Sequence, residues 1–411
     1  MAWKPLPPDC KSADVWLEFV DDPNTKYFLL EGAVRSSKTF GSILAWCDWV
    51  ENFAPPGPLI MMGNTRETLI QNVLDPLIDL VGKQATLNRG IGQLTLFGRP
   101  IYIFGAGNIA AMRKLQGKGA VGAYCDEAPT YPKDVWQMLG TRAAADGIKI
   151  IATMNPDSPR HWMKTDYLDR LKDVNGRSWH FSLDDNPFLS EKVKSELKSQ
   201  YTGLWKLRYI DGLWVAAEGS IYDMFDEAKH VVHSLPSRWH RIHVGVDFGI
   251  STVTCYLSIG LAADGEYSGK WIVFNEYYYD AEKKQRQRTV SEHSQQMREH
   301  LKKPDGNIWF PQTIEVDPSA SPLKVQLRRD GFQGMMRDAD NEVKAGIMVV
   351  ANAIATGRLL VHESCVNLLQ EIPGYVWDAK AQEYGEDQPI KQNDHACDAL
   401  RYACKRIFKG G

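Results

Sequence analysis

This sequence lacks the covalent and metal staples that hold small secreted folds together. Its seven cysteines, Cys10, Cys47, Cys125, Cys255, Cys365, Cys397 and Cys404, contain no Cys-x-x-Cys pair. An odd, scattered set excludes a disulfide framework and a structural zinc site, and fits a reducing compartment. No apolar run approaches the roughly 20 residues that span a bilayer. The opening Met1–Lys11 carries Pro, Asp and Lys where a secretory leader has an apolar core. There is no internal repeat and no low-complexity tract. A dominant charge is missing too: 48 Lys and Arg against 51 Asp and Glu leave a formal charge of -3. That balance excludes a protein that coats nucleic acid by bulk electrostatics, so any DNA partner needs a local basic groove. The expectation is a cytoplasmic chain with no membrane partner.

What is present is an ordinary globular composition, 44% hydrophobic and 24% charged over 411 residues, long enough for two domains. In the first half short apolar runs alternate with helical stretches. Strands are expected at Tyr27–Glu31, Leu59–Gly63, Val121–Cys125 and Lys149–Met154, with a strand pair over Gln93–Gly105. Helices are expected at Thr39–Asn52 and Arg66–Val81. Apolar strands alternating with helices predict an α/β domain with a mainly parallel central sheet. After weakly periodic residues 212–235, a run of strands at His243–Asp247, Thr252–Leu261 and Trp271–Tyr279 predicts an antiparallel meander. A strand Thr313–Val316 and a closing helix Asp394–Phe408 complete a mixed second domain. The expected division is 1–211, a joining stretch 212–235, and 236–411.

Between the first strand and the first long helix lies Gly32-Ala-Val-Arg35-Ser36-Ser37-Lys38-Thr39. The phosphate-binding pattern G-x-x-x-x-G-K-[ST] is met at Gly32, Lys38 and Thr39, with Ser37 in place of the second glycine. The chemistry asks for backbone N–H groups curled at a helix N-terminus, a lysine to neutralise phosphate, and a hydroxyl for Mg²⁺. Ser37 serves only where the backbone avoids glycine-only angles. A second apolar strand ends in Asp126-Glu127, the arrangement in which the first acid holds Mg²⁺ and the next polarises the attacking water. A third ends in Thr153-Met-Asn155-Pro156, where Thr153 or Asn155 can report the γ-phosphate. Arg35 is the first candidate for offsetting its charge, with Arg66, Arg113 and Arg142 behind it. Together these predict a P-loop ATPase domain binding ATP and Mg²⁺.

The second half carries acids at strand exits and on the last helix: Asp247, then Glu315 and Asp317, then Asp394, His395 and Asp398. Positions 394 and 398, and 395 and 398, share a helix face. Carboxylates from two strands and one helix are what a two-metal phosphodiester hydrolase needs to hold two Mg²⁺ or Mn²⁺. The order predicts a ribonuclease H-like nuclease core. Singly, each acid has a bland explanation, Asp394 as a helix cap and Glu315 as a residue of the sheet's other face. Lys283, Lys284, Arg286 and Arg288 form a basic run that can track a phosphate backbone.

These residues resemble the large subunit of tailed-bacteriophage terminases, the DNA-packaging motor. The resemblance rests on the loop Gly32–Thr39 with Arg35, the strand end Asp126-Glu127, Thr153-Met-Asn155-Pro156 and the joining stretch Tyr209–Val232. It also rests on Val244–Gly249, Val316-Asp317-Pro318 and the ending Asn393-Asp-His-Ala-Cys-Asp-Ala-Leu-Arg-Tyr402. The last pattern is the most specific. The resemblance implies an ATPase that translocates double-stranded DNA into a capsid and a nuclease that cuts concatemers, present in the host cytoplasm and absent from the mature virion. It implies that Gly32, Arg35, Ser36, Ser37, Lys38, Thr39, Asp126 and Asn155 hold nucleotide and Mg²⁺, and that Glu127 is catalytic. It further implies that Asp247, Asp317 and Asp398 bind the nuclease metals, with His395 and Asp394 auxiliary. A small terminase subunit, a portal protein and DNA are the implied partners, with a ring of copies during packaging and the state in solution left open. No glutamine marks the adenine, and residues near Trp16 or Tyr27 are its candidate contacts. A stand-alone ATP-dependent nuclease or helicase-like repair enzyme is the alternative, disfavoured by the lack of further helicase motifs.

Overall fold

The computed structural model describes residues 6–408 except 8, 109, 112, 114–118, 144–146, 202 and 304. The opening Met1–Lys11 and the outer ends of the two expected domains therefore lie partly outside the described residues. The chain forms two compact units, Met1–Ala216 with Glu383–Glu386, and Ala217–Gln382 with Asp387–Gly411. Among the described residues no helix is long and apolar enough to cross a membrane.

The first unit is built on β1 (Tyr27–Gly32), β2 (Leu59–Gly63), β3 (Ala85–Asn88), β4 (Gln93–Leu96), β5 (Arg99–Gly105), β6 (Gly122–Cys125), β7 (Lys149–Met154) and β8 (Gly176–Phe181). They form one sheet in the order β3-β4-β5-β2-β6-β7-β1-β8. The pairs from β5 through β8 are parallel and only the β3-β4-β5 edge is antiparallel. Phe28, Leu29 and Leu30 of β1 are fully buried because helices cover both faces, which is why the strand reads as an unbroken apolar run. One face packs Trp46 and Trp49 of the helix Lys38–Asn52 with Val15 and Phe19 of the helix Lys11–Asp21. The other face packs Trp136 and Leu139 of the helix Lys133–Arg142. Strands β6, β7 and β1 are parallel neighbours, so the loops leaving their C-terminal ends meet at one edge, where α/β sheets place ligands. The edge strand β8, Gly176-Arg-Ser-Trp-His-Phe, escapes the sequence pattern because half of its residues are exposed and only Phe181 is buried.

The second unit holds β9 (Val231–Val232), β10 (Trp239–Phe248), β11 (Val253–Ala262), β12 (Trp271–Asp280), β13 (Thr313–Val316), β14 (Met336–Asp338) and β15 (Leu359–His362). Their order is β14-β13-β10-β11-β12-β15-β9. The β10-β11-β12 meander is antiparallel, and every other pairing is parallel. The closing helix His395–Phe408 lies against β10, β11 and β13. A Cβ on Gly245 of β10 would fall 1.9 Å from the carbonyl oxygen of Ala399, so only glycine lets helix and sheet approach this closely. Small residues at this seam bring the helix onto the strand that carries Asp247.

The stretch 212–235, expected as a joiner, is structured at both ends. Its N-terminal end packs on the first unit's loop, described below. Its C-terminal end forms the helix Glu227–His230 and strand β9. Weak periodicity here reflects backbone packing and very short elements.

Candidate active sites

In the first unit the loop after β1 turns through three left-handed residues, Gly32 (φ 127°), Arg35 (φ 52°) and Ser37 (φ 71°). Ser37, with ψ 6°, sits in the left-handed helical region, which is uncommon for a side chain but not reserved for glycine. That conformation costs about 1–2 kcal/mol for a non-glycine residue. Its hydroxyl lies 3.0 Å from that of Ser12 on the helix Lys11–Asp21, a bond that offsets part of the cost. The loop is backed by Tyr209, whose carbonyl accepts from Val34 N at 2.8 Å, and by Gly212, where a Cβ would lie 3.0 Å from Ala33 N. Asn186 donates to the Arg35 carbonyl at 2.6 Å.

Lys38 is buried and donates to the carbonyls of Gly32 (3.0 Å) and Ala33, to Ser36 Oγ (3.1 Å) and to Asn155 Oδ1 (3.3 Å). Burial pushes its ammonium down to about 7, against the pull of Glu31, Asp126 and Glu127. Asp126, at the exit of β6, is raised above the usual carboxylate range by burial, although Thr153 Oγ1 donates to it at 2.7 Å. The same hydroxyl accepts from Glu127 N at 3.2 Å, so one threonine of β7 ties both acids to the neighbouring strand. Glu127 itself has φ 54°, which turns the chain sharply after the strand. Gly32 and Ser36 contribute their carbonyl and hydroxyl to Lys38. Arg35, Ser36, Ser37, Lys38, Thr39, Asp126, Glu127, Thr153 and Asn155 all line one cavity of about 460 Å³.

Sequence reasoning missed Phe40, Asn72, Asn186 and Leu189, which line the same cavity. No motif announces them, because they come from helix faces and a loop far along the chain. The candidate adenine contacts are not there. Tyr27 is buried against Trp136 and Tyr167, and Trp16 donates to Asp48 at 2.7 Å. Of the four arginines only Arg35 lines the cavity. Arg66 instead reaches the Arg89 carbonyl.

In the second unit the acids of β10, β13 and the closing helix are brought together. Asp247 Oδ2 lies 2.8 Å from His395 Nδ1. Burial raises Asp247, the His395 bond opposes this, and the charges of Asp398 and Asp317 add to the rise. His395 is raised in turn, chiefly by its bond to Asp247. Asp317 accepts from Tyr402 OH (2.7 Å) and Ser319 N (2.6 Å). Burial works against its ionisation, but these bonds and Arg401 carry it below the usual range. Asp398 pairs with Arg401 at 2.9 Å and with Lys391 at 3.3 Å, and Lys391 also reaches Asp394 at 3.2 Å. An all-oxygen donor set suits hard divalent cations. The carboxylates are nevertheless held by protein partners: among the described residues no three His, Cys, Asp or Glu side chains form a metal-holding group.

Two expectations change. Asp394 does not cap the helix through its side chain; Glu371 does, accepting from Ala396 N (2.7 Å) and Cys397 N (3.1 Å). Burial pushes Glu371 up to about 7. Glu315 is engaged by Arg406 at 3.2 Å, on the closing-helix side. The basic run is largely self-satisfied: Lys283 pairs with Asp280, Arg286 with Glu292, and Arg288 stacks over Tyr279 at 4.3 Å.

Residues 83–229 match the family model for the terminase large subunit, T4likevirus-type, N-terminal, and residues 244–406 match that for the terminase RNaseH-like domain. The whole chain is similar to the large terminase of a thermophilic bacteriophage solved in complex with ADP. The identity is 32%, with 98% of this chain and 100% of that one covered, at a TM-score of 0.87. The chain belongs to the terminase large subunit family. The same phage's terminase solved with ATP-γ-S matches at 32% identity, 96% and 98% coverage and a TM-score of 0.86. The terminase large subunit of Escherichia phage T5 is 23% identical over 263 residues, 61% of this chain and 56% of the T5 protein. The chain thus matches little more than half the length of that curated relative. The fold expected for this family, a mainly parallel sheet followed by a mixed ribonuclease H-like sheet, is the one observed.

Proposed function

We propose that this chain is a viral DNA-packaging motor: it hydrolyses ATP to translocate double-stranded DNA into a capsid and cuts concatemeric DNA with a two-metal nuclease. The observation that carries this is the pairing, on one chain of the terminase large subunit family, of the Lys38 cavity with the Asp247–Asp317–Asp398 cluster. Similarity to a terminase solved with ADP and with ATP-γ-S supports the nucleotide assignment.

In the first site Lys38 turns from the loop carbonyls to the nucleotide's phosphates, the loop amides donate to the β-phosphate, and Thr39 and Asp126 hold Mg²⁺. Arg35 offsets charge on the departing phosphoryl group. Glu127 orients the attacking water, and its N–H bond to Thr153 links it to β7. Asn155, already bonded to Lys38, registers loss of the γ-phosphate.

In the second site Asp247, Asp317 and Asp398 are the ligands for divalent cations, with Asp394 auxiliary. When bound, two Mg²⁺ or Mn²⁺ ions would activate water and stabilise the leaving 3′-oxygen. His395 moves a proton while Asp247 fixes its ring, and Tyr402 and Ser319 hold Asp317 ionised. A small terminase subunit, a portal ring and several copies of this chain complete the motor, which works in the host cytoplasm and leaves before the virion matures.

The deciding experiment mixes the purified chain with empty capsids bearing portals, ATP and linear DNA, and measures DNA protected from nuclease. Protection by wild type and none by Glu127→Ala is expected. Wild-type protection by Glu127→Ala, or ATP hydrolysis with no protection under any capsid condition, would sink the motor assignment.

A further inference from the structure

The closing helix carries two of the nuclease-site residues, His395 and Asp398, yet its own N-terminal amides are not satisfied locally. The first four N–H groups of any helix lack intrahelical partners, and a buried end must find them elsewhere. Here Glu371 Oε2 accepts from Ala396 N at 2.7 Å and Cys397 N at 3.1 Å, while Oε1 accepts from Tyr278 OH at 2.8 Å. Glu371 is 5% exposed. Asp247, Cys255 and Tyr278 are directly opposite one another across β10, β11 and β12, so their side chains share one sheet face.

These bonds close a circuit: Tyr278 to Glu371, Glu371 to the helix amides, the adjoining His395 to Asp247, and Asp247 back through the ladder to Tyr278. The helix Val366–Gly374 that carries Glu371 is itself capped from β12. Glu276 accepts from Asn367 N at 2.9 Å and Leu368 N at 2.8 Å. Glu276 and Tyr278 are two apart on the strand and therefore also share a face. One strand thus fixes one helix, and that helix fixes the next.

We propose that Glu371 is a positioning residue of the nuclease centre: by clamping the start of the closing helix to β12 through Tyr278, it sets where His395 and Asp398 stand relative to Asp247. The proposal rests on the reading of this cluster as a divalent-cation nuclease site. Losing the clamp lets the first turn of the helix shift while Gly245 and Ala399 keep its remainder on the sheet. Outer-shell anchors of this kind change metal affinity or activity by roughly 10–100-fold. The expected loss falls on metal affinity, because the ligands themselves remain.

The test uses the full chain, measuring free Mn²⁺ by electron paramagnetic resonance and DNA cleavage as a function of Mn²⁺. For Glu371→Ala, both the Mn²⁺ dissociation constant and the half-saturating Mn²⁺ should rise about 10–100-fold, with kcat at saturating metal nearly retained. Glu371→Gln keeps an oxygen for the helix amides and should restore most of the affinity. Mn²⁺ binding within twofold of wild type in Glu371→Ala overturns the proposal, as does a matching loss in Glu371→Gln. If Glu371→Ala does not fold, Tyr278→Phe decides, a several-fold weakening supporting the clamp and wild-type binding overturning it. Asp247→Ala is assayed alongside. Full cleavage by that variant would discard the nuclease reading itself, whereas its inactivity beside wild-type-like Glu371 variants would discard only the clamp.

Discussion

The Lys38 cavity and the Asp247 cluster solve the same problem, holding charged groups out of bulk water, in different ways. The cavity is built around one contiguous loop whose backbone carbonyls do most of the holding of Lys38, which is satisfied mainly by atoms within six residues of itself. The cluster has no such loop. Its acids come from positions 247, 317 and 398, and they are stabilised by His395, Tyr402 and Arg401 on the closing helix and by Lys391 just before it. A local site tolerates a substituted residue if the backbone path survives, as at Ser37. A site assembled from distant elements depends on the packing of those elements, hence on Gly245 and Glu371.

The most severe break in this contrast should come from Asp398→Ala. DNA cleavage is expected to fall by about 10⁴-fold or more, as when one member of an interdependent set is lost, while ATP hydrolysis stays close to wild type. Loss of both activities in a folded variant would end the idea of two independent sites. Glu127→Ala is the mirror experiment: steady-state ATP hydrolysis should drop about 10²–10⁴-fold, with Mn²⁺-dependent cleavage intact.

A smaller effect concerns the Lys38 proton. Its folded value of about 7 lies below the ordinary 10.5, so between these pH values the folded chain binds fewer protons than the unfolded one. Stability from this group therefore rises with pH across that window and gains nothing further above it. A polyphosphate favours the ammonium form, so nucleotide binding above neutrality should take up a proton and weaken as pH rises. Calorimetry in buffers of different ionisation enthalpy measures that uptake; its absence would mean that Lys38 is already charged.

The smallest effect is at Ser37. Ser37→Gly removes the left-handed cost but also the bond to Ser12, so its unfolding free energy should move by less than about 1 kcal/mol. Ser37→Ala keeps the cost and loses the bond, and should be about 1–2 kcal/mol less stable than the glycine variant. Equal stabilities in chemical denaturation would show that the loop does not hold the angle seen here.

Most of the well-covered strands were readable, since burial on both faces leaves continuous apolar runs such as Phe28-Leu-Leu30, but the short interior strand β15 was not. The edge strands β8, β14 and β9 were not, because short or half-exposed elements carry little pattern. At the loop, residues fixed by motif spacing line the cavity, whereas Asn72, Asn186 and Leu189 belong to it only through folding. Asp394 shows the limit of local rules. It is a good cap by position, but the amides it would serve are taken by Glu371, from a separate helix upstream.

By itself the sequence determined the local chemistry: a loop of fixed spacing before a helix, acids at strand ends, and a helix presenting His395 and Asp398 on one face. These follow from backbone periodicity and residue type, which short-range physics sets. Tertiary structure alone decided which carboxylate meets which partner, that Thr153 ties Asp126 to Glu127, and that Glu371 rather than Asp394 closes the last helix. Such pairings depend on register and close approach between elements far apart in the chain; in the second unit, a Cβ at Gly245 would be enough to hold the closing helix off β10.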